Sequence, residues 1–153
     1  MYSAFLAAHS WLRWVVLLAA VLAIVRSARG ISGGRAWDRG ADASARFYTI
    51  ALDIQFTVGL ILYVWLSPFT RAAFDNMAAT MRDPGARFLV VEHLTGMMIA
   101  LVVAHVGRAR IRRAAGDAAK HQQALIFFGI SLAVMLASIP WPGMAAGRPL
   151  FRF

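Results

Sequence analysis

Apolar residues run along the chain in four long blocks that are separated by polar segments. The blocks cover about residues 4–25, 47–67, 88–107 and 123–141. Each holds roughly 20 residues, the length that an α-helix needs to cross the hydrocarbon core of a bilayer. We therefore predict an all-α integral membrane protein, in which residues 1–153 form a single domain and four transmembrane helices make an up-down bundle.

The connection between the second and third blocks has a helical periodicity of its own. Within about residues 70–82, Phe74, Met77 and Met81 recur at helical spacing, and charged residues occupy other positions on the wheel. Pro68 stops the preceding helix, and "DPG" stops this one. This pattern predicts a short amphipathic helix on the outer membrane surface, covering that end of the bundle.

The composition leaves little material for anything outside the bundle. The chain is 60% hydrophobic and only 15% charged, whereas a soluble domain is about half apolar. Cysteine is absent, which excludes disulfides, thiolate zinc sites, iron–sulfur clusters and covalent haem attachment through CxxCH. We expect a small polytopic unit that works beside other membrane subunits.

The positive charges predict an orientation in the membrane. The chain carries a net charge of +9, and ten of its sixteen basic residues lie in the first and third connections. An excess of arginine and lysine marks cytoplasmic loops, so we predict a bacterial cytoplasmic (inner) membrane protein with both termini outside. The lipid bilayer is the expected partner of these basic loops, and nucleic acid is not.

Two histidines fall at the same depth on antiparallel helices. Counted from the outer helix ends, His9 and His93 both lie about 7–8 Å deep, and Met135 is nearly level with them. Two imidazoles from different helices of a bundle can serve as the two axial ligands of a b-type haem. We predict that His9 and His93 ligate the iron of one haem b, with Met135 as an alternative axial ligand.

Two charged residues accompany these histidines. Arg13 lies one turn deeper than His9 on the same helix face and is placed to neutralise a haem propionate. Glu92 is close to Arg13 in depth, and ionisable groups inside a membrane need partners. We therefore also predict a structural ion pair between Arg13 and Glu92. The small residues Gly96 and Ala100 beside His93 are compatible with a flat ring or with close helix packing.

A second set of polar residues lies towards the cytoplasmic side. It consists of Asp53, His105 and His121. A second haem between the two histidines is an alternative, but His93 and His105 are about 120° apart around their helix, an awkward phase for two haems in one groove. We expect Asp53 to pair with a loop arginine such as Arg108.

Short motifs distributed over the whole chain suggest a resemblance to other proteins. With "HSWLRW" at the start, "VEH" opening the third helix and "IPWP" and "GRPLFR" at the end, the chain resembles a group of small bacterial four-span membrane proteins. Some of these carry a generic cytochrome-b-like label. The resemblance implies four membrane helices and a haem between His9 and His93. Unlike two-haem membrane cytochromes, the chain lacks a convincing second histidine pair.

Two functional hypotheses follow. The first is a small cytochrome-b-like electron-transfer subunit with one haem near the outer face, not an enzyme on its own. The second is a non-catalytic accessory subunit of a larger respiratory or photosynthetic complex. A transporter or channel is a weaker alternative, because the predicted helices lack the broken segments that carriers use.

Overall fold

Within residues 1–152, which this computed structural model describes, all regular structure is helical. Two π-helical turns, Leu62–Leu66 and Phe88–Glu92, extend the second helix and join the fifth to the sixth. The α-helices are α1 (Tyr2–Ser32), α2 (Arg39–Ile61), α3 (Pro68–Asp75), α4 (Met77–Arg82), α5 (Pro84–Arg87), α6 (His93–Arg113) and α7 (Asp117–Ser138).

Four helical segments are long and apolar enough to cross a membrane, as predicted. They are Tyr2–Ser32, Arg39–Leu66, Pro84–Arg113 and Asp117–Ser138. In the bundle α1 packs against α2 and α7, and α6 packs against α7 and, less closely, against α2. When the connection between two helices is short, the two helices lie side by side and run antiparallel. Consequently α1 and α6 lie diagonally across the bundle.

The helices extend further than the apolar blocks at one end of the bundle. The predicted block 4–25 lies inside α1, which continues to Ser32, and α2 begins at Arg39. The Asp38 carboxylate caps α2 by accepting a 2.7 Å hydrogen bond from the Ala41 amide. Hydropathy locates the apolar part of a helix, whereas arginine and alanine have high helix propensity and extend the helix beyond it. The first connection is therefore only 33–38, and most of its predicted arginines stand on helices.

The segment between the second and third long helices is a pair of short helices. The predicted helix 70–82 is interrupted at Asn76, which leaves the helical conformation and caps α4 by accepting a 3.1 Å hydrogen bond from the Ala79 amide. The Phe74 ring meets the Tyr63 ring edge to face at 5.5 Å. Phe74, Met77 and Met81 are each partly exposed, and the prediction that they face the membrane or the bundle stays a prediction.

The interior of the bundle is built largely from small residues. Gly96 and Gly107 on α6 face Ser138 and Phe127 of α7 so closely that a Cβ would collide with either side chain. Of the two alternatives for this small-residue face, the structure therefore shows helix packing. Ala100 between them is fully buried.

The outer surface of the bundle is apolar on every side. Leu18 on α1 is 69% exposed, Trp65 after α2 is 58%, Val102 on α6 is 55% and Ile130 on α7 is 48%. Helices that are apolar all round are typical of large cores or of membrane spans. A chain of 153 residues has no large core, so this surface agrees with spanning helices.

The residues after α7 turn back across the end of the bundle. The Arg148 amide donates a 3.0 Å hydrogen bond to the Pro140 carbonyl, which closes the turn. The Leu150 carbonyl then accepts a 3.2 Å bond from the Trp14 indole of α1, and the Phe151 ring stacks on the same indole at 5.5 Å. The tail, residues 139–152, is thereby attached to the first helix.

Candidate functional site

A cavity lies between the long helices at the end of the bundle where the tail folds back. Its volume is about 380 Å³, within the range of small-molecule sites. Its walls are mostly apolar and come from all four long helices, from α3 and from the tail. The polar side chains that line it are Tyr2, His9, Ser10, Arg13, Gln55, Tyr63, Ser67, Thr70, His93, Arg148 and Arg152.

The two predicted histidines meet in this cavity. The ring centroids of His9 and His93 are 6.4 Å apart, and the ring planes are inclined at 79°. Two imidazoles on opposite sides of one metal ion have centroids about 6 Å apart, because metal–nitrogen bonds of about 2 Å add to the radii of two rings. The observed separation therefore agrees with a single ion between the rings.

His93 is held by a neighbouring helix end. Its Nδ1–H donates a 2.7 Å hydrogen bond to the Ser138 carbonyl at the end of α7. A histidine that ligates a metal usually makes such a bond through its other ring nitrogen, which fixes the tautomer and the ring orientation. The bond leaves Nε2 of His93 as the nitrogen available to a ligand. His93 also directly follows the π-helical turn Phe88–Glu92, and such turns are frequent at functional sites.

His9 is positioned from α2. The Gln55 side-chain amide donates a 3.0 Å hydrogen bond to the His9 carbonyl and lies 3.4 Å from the ring Nε2. A Cβ at Gly59 would stand 2.8 Å from the His9 ring, so only glycine leaves room for the imidazole there. The polar Gln55 and the small Gly59 therefore place the His9 ring on the cavity side of α1.

Several buried polar atoms at the cavity lack a protein partner. Four buried side-chain nitrogen or oxygen atoms within residues 1–152 have no hydrogen bond, and three of them belong to cavity residues: His9 Nδ1, Arg13 Nε and Gln55 Oε1. Buried polar groups are nearly always paired, with protein, water or a ligand. Their concentration here points to a polar group that binds in the cavity.

Arg13 bonds the tail rather than Glu92. Its guanidinium donates to the Leu150 carbonyl, whereas Glu92 pairs with Arg87 at 2.8 Å. The predicted Arg13–Glu92 ion pair is therefore wrong. In the π-helical turn, residues five apart lie one above the other, which brings Arg87 beside Glu92 on the exposed side of the helix.

Met135 lies where its depth predicted. It is buried, with 3% of its surface exposed, and it lines the cavity together with Met97. A buried methionine fills irregular gaps in many cores, and nothing in its position requires more than that. It stays an alternative axial ligand.

The charge of the cavity is positive. Three arginines line it, and no aspartate or glutamate does so in the part of the chain that the structure describes. No cluster of three or more histidine, cysteine, aspartate or glutamate side chains occurs within residues 1–152. Two imidazoles alone do not make an all-protein metal centre, but they suit an iron whose other ligands come from a macrocycle. The arginines suit the acidic groups of such a ligand.

The second polar set is not gathered into one site. Asp53 pairs with His105 at 2.7 Å, and Arg108 instead makes two hydrogen bonds, of 2.7 and 3.0 Å, to Asp42. The expected Asp53–Arg108 pair is thus wrong. His121 is buried elsewhere and its ring lies 4.9 Å from that of Trp37. These separate surroundings give no support to a second haem.

The tail, Gln55 of α2 and Tyr63 of the π-helical turn that follows α2 belong to the site without having been predicted in it. Gln55 and Tyr63 are polar residues within an apolar block, and this was the feature of the sequence that could have indicated a role in the site. Arg148 and Arg152 lie beyond the last apolar block, where hydropathy does not predict the path of the chain.

Comparison of the chain with family models, with curated proteins and with solved structures found no match in any of the three.

Proposed function

We propose that this chain is a multi-pass protein of the bacterial inner membrane that holds one haem b between His9 and His93 and transfers single electrons to or from other membrane subunits. One observation carries the proposal. The two imidazoles lie at a centroid separation of 6.4 Å inside a cavity that also holds three unpartnered buried polar atoms.

Three residues of the cavity would hold the haem, each in a different way. His93, oriented by the Ser138 carbonyl, would present Nε2 from one side, and His9 would present its ring from the other. Arg13 would balance an acidic group at the cavity wall, as cations do for buried anions. A haem in this position would supply one-electron oxidation and reduction.

The orientation follows from the charge distribution. The connections 33–38 and 114–116 lie at the basic end of the bundle, and the cavity lies at the opposite end, which we call the site end. With the basic end in the cytoplasm, both termini and the cavity belong to the outer half of the membrane. Helices α3 and α4 would then lie along the outer surface.

Visible spectroscopy tests the haem proposal. The protein purified in mild detergent from haem-replete cells should show a reduced-minus-oxidised b-type spectrum, with about one haem per chain. His9→Ala and His93→Ala should each abolish the spectrum, because each removes one of the two imidazoles that would hold the iron. The matched control is His105→Ala on the same helix as His93, which should keep the full signal because His105 lies outside the cavity.

Two results would contradict the proposal. One is a colourless wild-type protein that is folded and monodisperse. The other is an unchanged spectrum in His93→Ala. A colourless protein that co-purifies with a larger membrane complex would instead support the accessory-subunit hypothesis.

A further inference from the structure

The cavity has an apolar end and a cationic end. Towards the middle of the bundle its lining includes Leu17 on α1 and Leu52 on α2, which are both buried. Towards the site end the lining includes Arg148 and Arg152 of the tail. Arg13 lies one turn of α1 from Leu17, on the side of the tail. A molecule that complements both ends of the cavity therefore has an apolar body and an acidic edge.

The three cations of the cavity lie around one backbone carbonyl. The Arg13 guanidinium donates a hydrogen bond to the Leu150 carbonyl. Arg148 and Arg152 are each two residues from Leu150, so their Cα atoms lie within about 7 Å of the Leu150 Cα. No aspartate or glutamate of residues 1–152 lines the cavity. Like charges that are partly shielded from water repel one another, and an anion placed among them replaces this repulsion by attraction.

The backbone of the tail is fixed, whereas its arginine side chains are not paired with acids. The Trp11 indole donates a 3.1 Å hydrogen bond to the Arg152 carbonyl, and the Arg148 amide donates a 3.0 Å bond to the Pro140 carbonyl. Within residues 1–152 neither guanidinium makes a hydrogen bond or an ion pair. The Arg148 guanidinium lies over the Phe69 ring at 5.6 Å. Both arginines are half-buried, so their N–H donors are available to a ligand of the cavity.

We infer that the tail selects and orients the ligand of the cavity, because Arg148 and Arg152 bind the acidic groups of that ligand. The inference rests on the proposed function, in which the ligand is haem b and its acidic groups are the propionates. A guanidinium binds a carboxylate through two parallel N–H···O bonds. The propionate edge of the ring would then face the tail, and the apolar edge would face Leu17 and Leu52.

This arrangement makes the tail arginines determinants of specificity. A ligand without acidic groups would leave the cations of the cavity without a counter-charge, and unpaired charges that are shielded from water are costly. A site built around polar groups rejects an analogue that lacks their partners, because those groups then stay unpaired. Haem and its dimethyl ester have the same ring and the same iron and differ only in their acidic groups. The tail arginines should therefore discriminate between the two.

Titration of the full-length protein, prepared without haem in one mild detergent, measures this discrimination through visible absorption. Wild type should bind haem about tenfold or more tightly than the ester, as one or two hydrogen bonds between charged groups would give. In the double variant Arg148→Leu, Arg152→Leu this preference should fall several-fold, through weaker binding of haem alone. An unchanged affinity for the ester verifies that the site of the double variant is folded.

Two further variants separate the role of the tail from a general effect of charge. Arg82→Leu on α4 is the matched control, because Arg82 is an exposed arginine at the site end that does not line the cavity. It should keep the preference of wild type. The double variant Arg148→Lys, Arg152→Lys retains both positive charges but not the planar fork of the guanidinium, so it should recover part of the preference that the leucine variant loses.

Equal affinities of wild type for haem and for the ester would overturn the inference and leave the haem proposal standing. So would an unchanged preference in the leucine double variant, or an equal loss in Arg82→Leu. An anionic lipid is another source of an acidic group. Equal affinities for haem and its ester, together with phosphatidylglycerol that native mass spectrometry finds on wild type but not on the leucine double variant, would assign the arginines to lipid and overturn the inference. Failure of wild type to bind either haem or its ester would refute the haem proposal and this inference with it.

Discussion

Arg13 illustrates how a single charged residue can be satisfied without a carboxylate. Its guanidinium bonds the Leu150 carbonyl, which also accepts hydrogen bonds from Trp14 and Ser10. A guanidinium has five N–H donors, so a backbone carbonyl on one side leaves donors such as Nε for the cavity. Arg13 therefore connects the cavity to the tail that closes its end.

Replacement of Arg13 should loosen the tail. In Arg13→Leu the Leu150 carbonyl loses its charged donor, and bonds to charged groups contribute about 1.5–3 kcal/mol when well shielded and less when exposed. Hydrogen–deuterium exchange of the C-terminal peptide, read by mass spectrometry, should become several-fold faster.

The matched control is Arg29→Leu at the basic end of α1, which is remote from the tail and should leave that exchange rate unchanged. Equal exchange rates in wild type and Arg13→Leu would show that the tail is held without Arg13, by the remaining donors such as the Trp14 indole and the Ser10 hydroxyl.

The residues of the site divide into those that the sequence could locate and those that it could not. The common depth of His9 and His93 follows from the rise of an α-helix and the helix boundaries, and the two rings do meet. The partners of Arg13 and Asp53 were predicted wrongly. Choosing between nearby partners requires the rotation of each helix about its axis, and this depends on packing between helices rather than on hydropathy.

At the scale of elements, hydropathy located four long helices but not where they end. The ends depend on individual caps such as Asp38 and on arginines that extend helices beyond the apolar block. The two π-helical turns carry no sequence signal in a single chain, because they add one residue per turn without changing the composition. One of them directly precedes His93, and its wider turn changes the direction in which the following side chains leave the helix.

The packing of α6 against α7 should depend on Gly96. A Cβ there would overlap Ser138, so Gly96→Ala must push the helices apart or force a new rotamer, at a cost of about 1–3 kcal/mol. The free energy of unfolding, measured by denaturing-detergent titration of the purified protein, should fall by that amount.

Gly129 on α7 provides the control. A Cβ at Gly129 meets nothing within 4 Å, so Gly129→Ala should leave stability unchanged or raise it slightly through helix propensity. Equal effects of the two substitutions would mean that backbone propensity, rather than contact between α6 and α7, determines the result.

The whole molecule has two different ends. The basic end holds the short connections 33–38 and 114–116 and the Asp42–Arg108 ion pair, which joins α2 to α6. The site end holds the cavity, α3 to α5 and the returning tail. The sequence indicated this division through its arginine distribution, but the closure of the cavity by the tail depends on contacts between residues about 140 positions apart, which no local pattern predicts.

The polarity of the molecule predicts which end reacts with reagents outside the cell. A cysteine introduced at Ala79, an exposed position on α4, should react with a membrane-impermeant thiol reagent in whole cells. One at Gly33, where the negative φ of −100° lets a side chain enter without backbone strain, should react only after lysis. The natural chain contains no cysteine, so wild type is the unlabelled control. Labelling of Gly33→Cys but not of Ala79→Cys in whole cells would indicate the opposite orientation. The His9–His93 cavity would then belong to the cytoplasmic half of the membrane.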